Sequence, residues 1–207
     1  MKLLYLLRWF AGHNQRRISK MKKLVVFFVL FSALPVMAQL SQKEVELYQL
    51  IMEYRATNGL PEIPLSVSLT KVAQIHAKDV YEHFDEIPEG CNAHSWSKHG
   101  SWTKCDYYPD HRNSACMWSK PKELTEYEGN GYEIAHYLLP PTSGVVSPKA
   151  ALKGWQGSPG HNALIINLDK WKNIEWAAIG VGMYKGVACV WFGEYTDPAG
   201  HYIIGKE

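Results

Sequence analysis

The sequence predicts a single α+β domain, on three observations. Two segments in its first half repeat apolar side chains at helical spacing. Two runs rich in Val, Ile, Tyr and Trp near its end flank a Gly-containing turn. No internal repeat or low-complexity linker separates them. With helices and strands held in separate parts of the chain, one α+β domain is the economical choice.

The elements follow in chain order. Residues 21–38, MKKLVVFFVLFSALPVMA, place two lysines before an apolar run of about ten residues and end in Val36-Met37-Ala38. They read as a secretory signal cleaved after Ala38, which implies a secreted or periplasmic protein. Residues 1–20 read as an upstream extension from a misassigned start, and 39–207 as the domain. The apolar run is short for a membrane span and no second one follows, so no transmembrane segment is expected in the mature protein. Residues 1–38 carry seven of the 22 Lys/Arg and none of the 20 Asp/Glu, leaving 15 basic against 20 acidic side chains, a formal charge of −5. A domain of that sign has no basic stripe for phosphates, which argues against a nucleic-acid partner.

From Ser41, SQKEVELYQLIMEYRATNGLP aligns Val45, Tyr48, Ile51 and Met52 on one face and stops at Asn58-Gly59 before Pro61. A second helix starting near Ser68, SLTKVAQIHAKDVYEHF, aligns Leu69, Val72, Ala73, His76 and Val80. On that stripe His76 reads as a hydrogen-bonded core histidine rather than a ligand. From about 91 to 127 no period is visible, although the segment holds three cysteines, Trp96, Trp102, Trp118, Tyr107 and Tyr108. So long a loop is either functional or stapled. Its aromatics could form a platform for sugars or lipids, or a satellite core held down by bridges, and the satellite core is the preferred reading.

Cys91, Cys105, Cys116 and Cys189 all follow the signal, so two disulfides are expected in an oxidising compartment. Four cysteines allow three pairings. The position of Cys91 and Cys105 around one loop favours Cys91–Cys105 with Cys116–Cys189. There is no CxxC, which gives no support to a zinc ribbon or a thioredoxin-like redox site.

After Pro148, KAALKGW and then SPGHNALIIN read as short helices. Trp155 is expected in the core between layers. Ser158 suits an N-cap and Pro159 the first helical position, which puts His161 near the third. The positive end of the helix dipole disfavours imidazolium there, leaving a neutral ring able to take a proton or a cation. The alternative is a half-buried residue packing beside the cap. Finally WAAIGVGMYKGVACVWFGEY reads as a hairpin turning at Tyr184-Lys185-Gly186, and Gly180 and Gly182 mark a close approach of another backbone or a ligand.

The succession YRATNGLP, LTKVAQIHAKDV, HSWS, GYEIA, GWQGSPGHNALI, IGVGMY and VWFGEY, spanning about residues 42–195, resembles the CAP superfamily. This is the SCP-like domain of cysteine-rich secretory proteins, insect venom antigens, plant pathogenesis-related proteins and exported bacterial proteins. The resemblance implies a three-layer α-β-α sandwich around a small antiparallel sheet. It also implies a surface cleft lined by two histidines and two glutamates that can hold a divalent cation. His161 matches the second histidine. His94 is the best match for the first, with His99 in competition. The family frame Gly-Glu-Asn reads Gly131-Tyr132-Glu133 here, placing the acid one residue late, and the second glutamate falls on Ser158.

The expected cleft is therefore His94, Glu133, Ser158 and His161, with His94, His161 and Glu133 as candidate ligands for weakly bound zinc or magnesium. No catalytic residue is assigned. The leading functional reading is a non-catalytic binding module for a cation, a small hydrophobic ligand such as a lipid, or a glycan. The alternative is a peptidase-like hydrolase in the same cleft. It would use zinc-activated water, or Glu133 as base beside Ser158. Neither HExxH nor GxSxG is present to support it.

Overall fold

The computed structural model describes residues 39–205. The expectations for residues 1–20 and 21–38 lie outside that range. Helix α1, Gln42–Thr57, opens with a capping box: Ser41 Oγ accepts from Glu44 N, and the Glu44 carboxylate accepts from Ser41 N. Its expected face is buried at Tyr48, Ile51 and Met52, with Leu47 added and Val45 only half-buried. Helix α2, Val67–His83, begins earlier than the periodicity suggested, because Ser66 caps it by accepting from Leu69 N at 2.9 Å. Leu69, Val72, Ala73, His76 and Val80 are all buried as one stripe.

Three strands make the sheet: β1 Tyr132–Tyr137, β2 Ala178–Tyr184 and β3 Val187–Gly193, in the order β1-β3-β2 and antiparallel throughout. Both faces are covered, so the strands alternate between two cores rather than between core and water. On β3, Ala188, Val190 and Phe192 join α1 and the later helices α5, Pro148–Gln156, and α6, Pro159–Ile165. Val187, Cys189 and Trp191 join α2 and the 91–127 region. The result is the expected three-layer α+β arrangement. Trp155 sits in the first core at 1% exposure, as its position predicted.

The hairpin glycines face α2. A Cβ on Gly180 would stand 2.1 Å from Leu69 C, and one on Gly182 2.2 Å from Ala73 C. The close approach expected there is made by a helix backbone, and glycine is what lets sheet and helix touch.

The irregular region is better ordered than its sequence suggested. It forms two short helices, α3 Ser114–Trp118 and α4 Lys120–Leu124, around buried Trp96, Tyr107, Met117 and Tyr127. The satellite-core reading thus holds for these side chains. The disulfide expectation is corrected: one bridge forms, Cys105–Cys116, while Cys91 and Cys189 are free thiols. Cys189 lies on central strand β3 at 0% exposure, opposite Ala135 and Gly182, where Cys116 cannot reach it. Cys116 on α3 instead meets Cys105, whose strand-like bridge to Trp96 fixes its position. No helix among the described residues is long and apolar enough to cross a membrane.

Candidate functional site

The one-residue displacement of the acid matters because side chains alternate along a strand. On β1, Tyr132 and Ile134 turn toward the core of α1, whereas Glu133, opposite Trp191, turns toward α2. There α2 presents His76. Glu133 Oε1 lies 2.5 Å from His76 Nδ1 and its Oε2 lies 2.6 Å from His94 Nδ1, with the carboxylate fully buried. His94 is delivered by the turn after Asn92, whose Oδ1 accepts from His94 N.

Donor accounting fixes the protons. His76 Nε2 faces the Ser95 carbonyl at 3.0 Å, which can only accept. Burial alone would hold the Glu133 carboxyl high, but the two imidazoles outweigh it and keep the group well below the usual carboxylate range. An ionised Glu133 also only accepts, so both His76 nitrogens carry protons. Burial opposes that charge, yet Glu133 and the Ser95 carbonyl hold the His76 pKa above its ordinary value. His76 is therefore a buried imidazolium, stacked on Trp96 with centroids 4.2 Å apart and planes within 3°. Sequence reasoning found its burial but missed its role. The only signal was a histidine on an apolar stripe, with nothing to name Glu133 as its partner.

His94 is held through Nδ1 by Glu133, the arrangement by which a carboxylate orients a histidine whose other ring nitrogen serves a proton or a metal. His161, at the third position of α6, stands with its ring centroid 6.4 Å from that of His94. Burial, followed by the nearby His94, lowers its pKa to about 4, so it is neutral at ordinary pH. The sequence attributed a neutral ring here to the helix start; the lowering in the structure comes first from burial.

The cleft between them has a volume of about 390 Å³. His94, Glu133, Ser158 and His161 all border it, so the structure brings the four expected residues together. Its walls are Tyr107, Trp118, Tyr132 and Trp171, with Met117 and Leu164 among the apolar groups. Tyr107, whose phenol is pushed up to about 12 by burial, shares a 2.6 Å hydrogen bond with His111 Nδ1 and packs edge-on to His94. The aromatic segment therefore serves partly as cleft wall as well as core. His99 is elsewhere, paired with Glu86 on the surface. Among the described residues, Ser158 Oγ makes no hydrogen bond to an imidazole and does not cap α6. No base among the described residues hydrogen-bonds to it as nucleophile activation requires.

The family model for the cysteine-rich secretory protein family, CAP, matches residues 48–189. The chain belongs to the CAP family. Within this CAP domain the match runs from α1 to β3 and includes His76, His94, Glu133 and His161. A comparison with curated proteins gives no match. Several solved structures are similar, three of them as follows. An extracellular protein containing an SCP domain from Bacillus anthracis is 17% identical, with a TM-score of 0.48, over 76% of this chain and 45% of that one. An outer surface protein from Borrelia burgdorferi is 18% identical, with a TM-score of 0.47, over 77% of this chain and 97% of that one. A cysteine-rich secretory protein from Staphylococcus aureus is 13% identical, with a TM-score of 0.46, over 74% of this chain and 38% of that one.

Among the described residues two groups bring three ligand-type atoms within 4.8 Å of one another: His76, Glu133 and Cys189 in the interior, and His83, Glu86 and His99 on the surface. In the first, burial and the neighbouring Glu133 keep the Cys189 thiol protonated.

Proposed function

We propose that this CAP domain is an exported, non-catalytic binding module whose cleft captures a ligand between His94 and His161. The observation that carries this reading is the pair of imidazoles that border one aromatic-walled cleft with centroids 6.4 Å apart, His94 oriented from behind by Glu133 and His76, and His161 kept neutral by burial. Aromatic walls and apolar floor suit a small hydrophobic ligand or a sugar face, while the imidazoles supply polar anchors.

A divalent cation fits the donor set in a restricted way. Two imidazoles bound to one tetrahedral zinc at about 2.0–2.1 Å have centroids about 5 Å apart, so His94 and His161, at 6.4 Å, would have to close by about 1 Å to share an ion. Both oxygens of Glu133 are engaged by His76 and His94, which makes it the orienting carboxylate rather than a ligand. When bound, zinc would supply a Lewis-acid anchor with open positions for ligand oxygens. His94 and His161 would hold it, and weak binding is expected from only two protein donors. The same geometry disfavours the hydrolase: Ser158 has no base, and Glu133 is committed twice over.

The test is thermal unfolding with and without zinc in the wild type and in His161→Ala. Zinc should raise the wild-type melting temperature, since a ligand confined to the folded state stabilises by RT ln(1 + [L]/Kd). His161→Ala should show a smaller increment, keeping only what zinc bound outside the cleft supplies, while the metal-free melt stays close to wild type. Equal increments in both proteins would remove the cleft from the reading. N-terminal sequencing of the exported protein tests the signal, with Gln39 expected as first residue.

A further inference from the structure

A second meeting of histidine and carboxylate lies away from the cleft, where α2 ends. We propose that His83, Glu86 and His99 form a surface site for a transition-metal cation of the zinc class. Glu86 Oε1 is 3.1 Å from His83 Nδ1 and its Oε2 is 2.8 Å from His99 Nε2, and one atom of each residue lies within 4.8 Å of the others. These atoms are reachable from water: the side chains are 23%, 48% and 39% exposed.

The three residues come from short-range geometry and one long-range tie. His83 is the last residue of α2, and Glu86 ends the 3-10 turn Phe84–Glu86 that continues it. His99 arrives on a separate loop. That loop is held on α2 by Ser97, whose N donates to Asp79 Oδ2 at 2.9 Å and whose Oγ donates to Asp79 Oδ1 at 2.5 Å. Trp102 Nε1 donates to the Ser97 carbonyl, and Ser97 Oγ in turn accepts from His99 N. Asp79 is only 5% exposed, so the anchor under His99 is fixed rather than a chance surface contact.

The donor set chooses the ion. Two imidazoles and one carboxylate suit zinc, copper or nickel better than magnesium or calcium, which prefer oxygen ligands. The rings now stack, with centroids 4.1 Å apart and planes 14° from parallel. Coordination would therefore replace the two histidine–carboxylate hydrogen bonds and splay the rings, whose side chains are 23% and 39% exposed. Three protein donors leave at least one position for water or for a group on another molecule. An ion here would clamp the end of α2 to the loop that leads from His94 to the Cys105–Cys116 bridge.

Calorimetric titration of zinc into the full-length exported protein, comparing wild type, His99→Ala, the double variant His83→Ala/His99→Ala and His161→Ala, tests this independently of the cleft. One zinc equivalent should disappear in the double variant, weaken at least tenfold in His99→Ala and persist in His161→Ala. An unchanged stoichiometry and affinity in the double variant would overturn the proposal, whatever His161→Ala shows. Should the double variant fail to fold, histidine ring NMR of the wild type decides. The His83 and His99 ring nitrogens should shift with zinc, and rings that do not move would overturn the proposal.

Discussion

Replacing Glu133 by alanine tests the buried charge pair on which the cleft geometry rests. The side chains of Glu133 and His76 are both 0% exposed, and the carboxylate serves two imidazoles at 2.5 and 2.6 Å. Deleting one partner of such a pair leaves the other uncompensated and costs about 3–5 kcal/mol. In a domain of this size that lowers the melting temperature by about 6–20 °C. Glu133→Gln separates charge from hydrogen bonding. Its amide can donate to a His76 that has given up its Nδ1 proton and can accept from His94, so about 1–2 kcal/mol is expected. The pH dependence has a defined sign. The lowered Glu133 carboxyl contributes stability above its ordinary value of 4.5, and this is lost as pH falls through its folded pKa. The raised His76 imidazole contributes below its ordinary 6.5, and this is lost as pH rises through its folded pKa. The gap between wild type and Glu133→Ala should thus be widest between pH 4.5 and 6.5 and narrow on either side. Urea denaturation across pH gives the gap, and ring 15N shifts give the His76 protonation state. A gap below about 1 kcal/mol, or a neutral His76 in the wild type at pH 6, would refute the donor accounting.

Three further outcomes are expected. Peptide mapping without reductant should recover Cys105 joined to Cys116, with Cys91 alkylated in the native state and Cys189 only after unfolding; Cys105→Ser/Cys116→Ser should cost about 2–4 kcal/mol, and Cys189 found in a bridge would contradict the fold. Gly182→Val should cost about 3 kcal/mol or more, because its Cβ meets the backbone of α2 at Ala73 rather than a movable side chain; a variant as stable as wild type would show that α2 does not pack there. Acidification from about pH 6.5 to about 4 should destabilise the wild type relative to His161→Gln by about 1–2 kcal/mol after allowance for partial exposure, since the unfolded histidine binds its proton first; equal acid profiles in urea denaturation would place His161 in water.

The sequence by itself determined what depends on neighbours along the chain. The apolar stripes of α1 and α2, the hairpin, the placement of His161 at a helix start and the close approach at Gly180 and Gly182 all rest on periodicity, capping and glycine chemistry. The family frame added the layers and pointed to His94. Strand β1 went unread because burial on both faces removes the alternation of polar and apolar residues that marks a half-exposed strand. Only the tertiary structure decided the partners. Nothing local says that His76, 57 residues before Glu133, will carry a charge, since that requires α2 to lie on the sheet face to which strand alternation turns the carboxylate. The same holds for the cysteines: local spacing favoured joining Cys91 to Cys105, but the register of β3 sealed Cys189 in the sheet and left Cys105 and Cys116 to meet. Pairing of distant groups is set by packing, and packing is a property of the whole folded chain.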